Sequence, residues 1–385
     1  MLPADLPGTV RDALLAPLVD HHCHGVRRDD LTRAEFELLI NEGGSPAPPG
    51  TTHFDTPFGA AVRRWCAPLL DLEPHAPPAV YLARRAELGA GEVNRRFLAA
   101  SGVVAFLVDT EPAGAWEEGE LLSATEMGRH GGAAADELVR IEAVERDVAE
   151  TAQISVDYLD DLGEELTARA ARAVGFTTVI GSLHGLDFDP SRPSRGSVIA
   201  AVNRRLSEPK EPLTDPVLLR HLLWIAIDVA RERGLPVQFH TGFGGSGPDL
   251  HRSDPARLSA LVRALQPASV PVVLLHCYPF HRQAAYLAGL YPHVYVDVGL
   301  ALPHTAAASA RVVEELLELA PFHKQVFGSG CHAVAETGYL GALSYRRAMG
   351  AALRARLGSE EWSVADAARV AHMIGSGNAR RIYRL

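Results

Sequence analysis

The chain has 385 residues, of which 47% are hydrophobic and 22% charged, and its formal net charge is −10. This composition is typical of a globular protein with a large core, and the acidic balance argues against a nucleic-acid partner, which needs clustered Lys and Arg. The most apolar stretch, 217–234, is interrupted by charges and is too short to span a bilayer. With four scattered cysteines and no apolar leader, we predict a cytoplasmic protein without a membrane partner.

Short apolar, often β-branched runs recur along the chain between longer segments with helical patterning. The eight runs that we predict to be strands are 17–22, 103–109, 137–142, 174–180, 235–240, 271–276, 294–299 and 325–330. Buried strands that alternate with helices indicate βαβ units around a parallel sheet. Eight such units favour an α/β fold of the (β/α)8 TIM-type barrel class over an open doubly wound sheet.

A barrel of this type needs about 250 residues, so more than a hundred residues must lie in insertions. Most of them lie in residues 25–100, after the first predicted strand, where 29–43 and 61–72 have helical patterns and 43–57 is rich in turn residues. We predict that 1–385 is a single domain, with 25–100 as a helical insertion over the barrel mouth.

The first predicted strand ends in the motif "DHHCH". Because successive side chains of a strand alternate between faces, Asp20, His22 and His24 should share one face, and His21 and Cys23 the opposite one. Two imidazoles at positions i and i+2 can chelate one divalent cation, and zinc and similar borderline metals favour nitrogen ligands. This pair alone is equally typical of two polar residues satisfied by hydrogen bonds.

Two further predicted strands also end in histidine. His240 ends the fifth run and His276 ends the sixth. Because the carboxyl ends of barrel strands meet at one mouth, these two histidines should converge with the strand-one pair. The constellation therefore predicts a metal site.

With this histidine pattern, the chain resembles the amidohydrolase superfamily, most closely the amidohydrolase-related branch that forms the front domain of FluG/nodulin-type glutamine synthetase fusions. Further matching stretches are 239–244, 272–303 and 374–385. The resemblance implies a centre of one or two divalent metals, most readily zinc, with manganese or iron as alternatives. It implies His22, His24 and His240 as metal ligands, and His276 as a catalytic residue that orients the substrate or transfers a proton.

The chain departs from this family twice. Where some members carry a metal-bridging lysine on strand four, this chain has Ile180. Where strand eight usually ends in an aspartate that binds metal and takes a proton from water, this chain has Gly330. Cys331 or His332 could replace the missing ligand, or the chain could be a natural or engineered inactive form. We expect Gly330→Asp to raise metal occupancy and activity.

Three carboxylates complete the set of candidates. Glu142, which ends the third predicted strand, is a candidate catalytic residue, because a strand-three glutamate is a metal ligand in a related branch. The same residue could also be a solvated or Arg-paired acid. Asp20 could support the strand-one histidines from behind, and Asp297 is a candidate for the barrel interior.

The resemblance implies metal-dependent hydrolysis of an amide or related C–N bond in a small polar metabolite, with a γ-glutamyl amide suggested by analogy. A second hypothesis is a mononuclear decarboxylase of a small carboxylic acid, and a third is a barrel that binds a metal or ligand without turnover. The expected partner is a small-molecule substrate, and a homodimer remains an open option.

Overall fold

The computed structural model describes residues 2–111, 120–244 and 249–385. In these residues, seven parallel strands form one sheet in which each strand pairs with the next along the chain. The strands are β1 (Leu18–His24), β2 (Val103–Asp109), β3 (Ala134–Arg140), β4 (Gly175–Thr178), β5 (Val237–His240), β6 (Val272–Leu275) and β7 (Val294–Val296).

The extended segment 325–330 closes the sheet between β7 and β1. The Val326 N–H donates to the Val296 carbonyl at 3.1 Å, and the Gly330 N–H donates to the His22 carbonyl at 3.1 Å. The segment therefore occupies the place of the eighth strand, although its glycines keep its pairing too irregular for a regular strand. The predicted α/β barrel is confirmed.

Helices cover the outside of the barrel. They are α1 (Gly8–Leu15), α2 (Arg33–Leu39), α3 (Pro57–Ala61), α4 (Pro78–Leu88), α5 (Ala90–Ala100), α6 (Ala124–Gly131), α7 (Ile141–Thr151), α8 (Ser155–Ala170), α9 (Ile180–Leu183), α10 (Arg195–Ser207), α11 (Pro216–Arg233), α12 (Ser259–Leu265), α13 (His281–Leu290), α14 (Ala301–Thr305), α15 (Ser309–Leu317), α16 (Ala335–Gly358), α17 (Val364–His372) and α18 (Asn378–Tyr383). Among the helices described, none combines the length and apolar character needed to cross a bilayer.

A small apolar layer fills the barrel interior. Its strand residues and the residues of α18 that cover them are Val19, Ala105, Leu107, Leu138, Val273, Leu275, Val326, Ala379, Ile382 and Tyr383. The spacing of two between members on β2 and β6 shows that alternate side chains of these strands point inward. The C-terminal helix thereby seals the interior beneath the histidine-bearing strand ends.

The segment between β1 and β2 contains α2 to α5 and is tied to the barrel by a buried polar cluster. Arg85 of α4 lies 3.0 Å from Glu336 at the start of α16, and the Tyr81 hydroxyl donates to the same carboxylate at 2.9 Å. All three side chains are buried. Loss of one partner of a buried pair leaves an uncompensated charge, so this contact fixes the segment firmly.

The third strand ends earlier than predicted. β3 spans Ala134–Arg140, and the chain enters α7 at Ile141, which places Glu142 in the first turn of a helix. The predicted strand over 137–142 is present, but its predicted end is wrong, because the apolar alternation of the strand runs without a break into the amphipathic pattern of α7. Glu142 nevertheless remains at the carboxyl end of the barrel.

Candidate active site

Four histidine rings converge at the carboxyl ends of β1, β5 and β6. The ring centroids of His22 and His24 are 5.1 Å apart, those of His22 and His276 are 5.3 Å apart, and those of His240 and His276 are 4.8 Å apart. His22, His24 and His276 are buried, and His240 is half-buried. The structure thus brings together the four histidines singled out by the sequence.

A bulge in β1 interrupts the predicted alternation of faces. The pairing of β1 with β2 shifts register between Asp20 and Cys23, so an extra residue is accommodated there. His21 consequently reaches the interior, where its Nε2 atom lies 2.9 Å from Asp297 Oδ2. The prediction that His21 faces outward with Cys23 is wrong. Asp20 lies apart from the histidine rings, and its Oδ1 atom accepts from the Ser329 N–H at 2.8 Å.

A hydrogen-bond chain fixes the tautomer of His22. The Gln238 amide nitrogen donates to the His21 carbonyl at 2.9 Å and to the Tyr383 hydroxyl at 2.7 Å. The Gln238 amide oxygen must then accept from His22 Nδ1–H, at 2.7 Å. His22 Nε2 therefore carries a free lone pair.

The other two candidate ligands differ from each other. His24 Nδ1–H donates to the Glu111 carbonyl at 3.2 Å, which leaves its Nε2 atom unprotonated, as in His22. His240 Nε2–H instead donates to the Gly244 carbonyl at 3.3 Å. The third ring is thus held by a backbone contact through its Nε2 nitrogen.

Burial keeps these imidazoles neutral. It lowers the pKa of His22, His24 and His276 well below the usual value, and that of His240 to a lesser extent. Neighbouring imidazoles reinforce the shift at His22 and His276, and Arg140 reinforces it at His24. Neutral imidazole is the form that binds metal ions.

The donor types and their protonation suit a divalent cation. In residues 2–111, 120–244 and 249–385, however, no three His, Cys, Asp or Glu side chains are arranged to hold one ion. The Nε2 atoms of His22 and His24 are unprotonated, whereas His240 Nε2 donates to the Gly244 carbonyl. Neutral imidazoles are donors of the kind that divalent metals bind, so the set fits a metal in its chemistry.

Asp297 fixes the backbone at His276. Its Oδ1 atom accepts from the His276 N–H at 3.1 Å and from the Gly299 N–H at 2.8 Å, while its Oδ2 atom faces His21. His276 has a φ of +65°, a left-handed conformation that is strained for histidine and needs such support. The buried Asp297 lies in the barrel interior, as the sequence suggested.

Glu142 is a half-buried acid in the first turn of α7. Its Oε1 atom accepts from the Thr178 hydroxyl and from the Val179 N–H at 3.1 Å. Its Oε2 atom has no hydrogen-bond partner among the described residues. Burial raises the pKa of this carboxyl to about 7, so the side chain can gain or lose a proton near neutral pH.

Sequence reasoning missed an ion pair beside these groups. Arg140, the last residue of β3, lies 2.7 Å from Asp109, the last residue of β2, and Asp109 is 3.9 Å from His24 Nδ1. The signal was present, because both residues end strands just as His240 does. Because the predicted third strand runs on to Glu142, it places Arg140 inside the strand and not at its end.

Gly330 is packed closely between Leu300 and His276. Its φ is +60°, and a Cβ atom there would lie 2.7 Å from Leu300 Cβ and 3.1 Å from His276 Cε1. A side chain at position 330 would thus face the histidines but cannot be added without displacing Leu300. The expectation that Gly330→Asp restores a working acid does not suit this geometry. Ile180, where the lysine was sought, begins α9 just past β4.

The two proposed substitutes for the missing ligand point elsewhere. The buried Cys331 thiol donates to the Val334 carbonyl at 3.6 Å, and burial raises its pKa. His332 Nε2 lies 3.5 Å from Glu42, a carboxylate of the segment between β1 and β2. Glu42 also lies 3.2 Å from His304 Nε2. Sequence reasoning identified neither Glu42 nor His304.

An amidohydrolase family model matches residues 19–385, which is nearly the whole chain. The chain belongs to the amidohydrolase family. The curated relative fluG of Emericella nidulans is 30% identical to this amidohydrolase over 223 residues, which are 55% of this chain and 26% of that protein. The chain therefore spans about a quarter of the length of this relative.

Solved structures show the same fold. A Lactobacillus casei protein provisionally assigned as a metal-dependent hydrolase superposes with a TM-score of 0.83 at 21% identity, over 98% of each chain. Glucuronate isomerase of Caulobacter crescentus superposes with a TM-score of 0.65 at 15% identity, over 100% of this amidohydrolase and 95% of the isomerase. At these identities, the likeness establishes the architecture alone.

Proposed function

We propose that this amidohydrolase is a metal-dependent hydrolase that cleaves an amide or related C–N bond of a small polar metabolite. The observation that carries the proposal is the convergence of four neutral imidazoles at three strand ends of one barrel mouth. Membership of the family and the tautomers of His22 and His24 support it.

His22, His24 and His240 would hold the divalent metal, with zinc the best match to an all-nitrogen set and manganese or iron as alternatives. When bound, such an ion polarises a carbonyl oxygen and lowers the pKa of water to about 7. His276 lies between His22 and His240, and its rigid support from Asp297 suits it to orient the substrate.

Glu142 would supply the proton for the leaving nitrogen. Its pKa of about 7 leaves a large fraction protonated at neutral pH, and its buried Oε2 atom has no hydrogen-bond partner among the described residues. The bonds from Thr178 and the Val179 N–H fix the other oxygen, so the carboxyl cannot rotate away.

Decarboxylation is the second candidate, and Gly330 is the observation that favours it. Cleavage of a C–C bond with loss of carbon dioxide does not require a base that takes a proton from water, and position 330 supplies none.

The decisive experiment combines metal analysis with two product assays. The purified protein, supplied with zinc, manganese or ferrous iron, is tested on γ-glutamyl-p-nitroanilide, on a panel of N-acyl and γ-glutamyl amides, and on small aromatic and aliphatic carboxylic acids. We expect one metal per chain, release of amine or ammonia without carbon dioxide, and loss of both metal and turnover in His22→Ala. The exposed His323 provides the matched control, His323→Ala. Carbon dioxide release would establish the second candidate, and a metal-free wild-type protein would refute both.

A further inference from the structure

A carboxylate and two imidazoles meet close to Gly330, and no role has been assigned to them so far. Glu42 Oε1 lies 3.2 Å from His304 Nε2 and 3.5 Å from His332 Nε2. The three side chains expose only 14 to 16% of their surface. They come from three separate places, namely the segment after α2, helix α14 and the loop after Gly330, so only the folded chain assembles them.

The surroundings hold this trio in place. The Phe58 ring stacks on His304 with centroids 4.7 Å apart, and the Phe243 ring lies 5.2 Å from it. The turn that carries Glu42 is pinned by Asn41, whose amide nitrogen donates to the Ser45 carbonyl at 3.2 Å. Aromatic rings and a fixed turn thus limit the movement of the trio.

The second ring nitrogen of His332 fixes its orientation toward Glu42. His332 Nδ1–H donates to the Gly330 carbonyl at 3.2 Å, which commits that nitrogen as a donor. The opposite nitrogen, Nε2, lies at ion-pair distance from Glu42, 3.5 Å away. The trio is therefore a preassembled cluster of one carboxylate and two imidazoles.

The trio borders the histidine cluster at Gly330. His332 Nδ1–H donates to the Gly330 carbonyl, and a Cβ atom at position 330 would lie 3.1 Å from His276 Cε1. The charge of Glu42 also opposes the lowering of the pKa of His240. His332 is two residues from Gly330, and His304 is four residues from Leu300, which blocks position 330. Glu42 therefore belongs to a cluster beside position 330, where the resemblance implies an aspartate and this chain has glycine.

We infer that Glu42, supported by His304 and His332, is the catalytic residue that accepts the proton of the attacking water. This inference rests on the proposed hydrolysis. The water O–H bond breaks, its proton passes to Glu42, and its oxygen forms a bond with the carbonyl carbon. The C–N bond then breaks as Glu142 protonates the leaving nitrogen. Glu42 afterwards loses its proton to solvent and Glu142 regains one, so one water is consumed per turnover.

The test compares Glu42→Gln and Glu42→Asp with a control on the same segment, Glu73→Gln, whose side chain is exposed. Each protein is loaded with cobalt(II), and its visible spectrum is recorded as a function of pH. A carboxylate that shares a proton with water at the ion gives a spectral transition near neutral pH. We expect this transition in the wild type and in Glu73→Gln, and its displacement in both Glu42→Asp and Glu42→Gln with unchanged cobalt stoichiometry.

The outcomes separate the two proposals. If the wild type binds no cobalt, the proposed function itself fails. If cobalt binds and Glu42→Gln titrates like the wild type, the hydrolase proposal stands and the role of Glu42 is refuted. If Glu42→Gln loses its cobalt, Glu42 is a ligand and the assigned proton transfer is refuted. On any amide that the panel identifies, Glu42→Gln should lower kcat at least 100-fold with little change in KM.

Discussion

Tyr383→Phe should weaken metal binding although Tyr383 lies near the C-terminus of the chain. Its hydroxyl accepts from the Gln238 amide nitrogen at 2.7 Å and donates to His21 Nδ1 at 3.0 Å. Without the hydroxyl, only the bond to the His21 carbonyl still distinguishes the two ends of the Gln238 amide. A flipped amide would present N–H to His22 Nδ1, which would force the proton of His22 onto Nε2, the nitrogen proposed to bind metal.

The size of the effect follows from two buried hydrogen bonds. Each is worth about 1 kcal/mol net, and a buried polar group left without a partner costs about 1–3 kcal/mol. We therefore expect the free energy of unfolding to fall by about 2–4 kcal/mol. Loss of a partner that orients a ligand typically weakens metal affinity about 10- to 100-fold, and we expect Tyr383→Phe to fall in that range.

Tyr345→Phe is the matched control. Tyr345 is also buried, but in the described part of the chain its hydroxyl has no hydrogen-bond partner. Its removal should change neither stability nor affinity appreciably. Zinc affinity is measured by competition with a chromogenic chelator, and stability by urea denaturation of the metal-free proteins. Equal zinc affinities for both variants would refute the proposed control of the His22 tautomer by Tyr383.

Three other changes have outcomes fixed by the structure. Burial raises the pKa of Glu142 from its ordinary 4.5 to about 7, so ionisation opposes folding, and the free energy of unfolding should fall by up to about 3 kcal/mol as pH rises through this interval. Glu142→Gln should remove that slope in urea titrations at pH 5 and 8, and parallel slopes would contradict the shift. Gly330→Ala should lower the free energy of unfolding more than Gly132→Ala does, because the two glycines have similar φ values but Gly132 has open space around it and Gly330 does not. Equal thermal midpoints for the two variants would show that Leu300 moves aside at little cost. Arg85→Met should lower the free energy of unfolding by about 3–5 kcal/mol, because it leaves the buried Glu336 carboxylate without its cation. A loss below about 1 kcal/mol on chemical denaturation would argue against the anchoring role of this pair.

The sequence predicted the histidines well because their signal is local. A histidine that ends a buried apolar run needs only the strand and its direction to be placed at the barrel mouth, and this applies to His240 and His276 alike. The same reasoning failed at His21, because alternation holds only while a strand stays in register with its neighbour. The shift between β1 and β2 depends on the partner strand and leaves no local mark in "DHHCH".

The boundary of β3 shows a second limit. Val139 and Ile141 continue an apolar alternation across the point where the strand becomes a helix, so the pattern does not reveal the end of the strand. As a result, Glu142 was placed on the wrong element, and Arg140 was overlooked. Glu42 lay beyond reach for a different reason. Its position depends on how a segment between two strands packs across the barrel, including the buried contact between Arg85 and Glu336.

The contacts around position 330 change the interpretation of Gly330. A site that had only lost its strand-eight acid would keep open space at position 330, whereas a Cβ atom there would lie 2.7 Å from Leu300 Cβ and 3.1 Å from His276 Cε1. The backbone there also adopts a left-handed conformation, which glycine adopts without strain. The surroundings are thus built around glycine. If the site turns over a substrate, its proton acceptor must come from outside the strand ends, and Glu42 is the carboxylate of the cluster beside position 330.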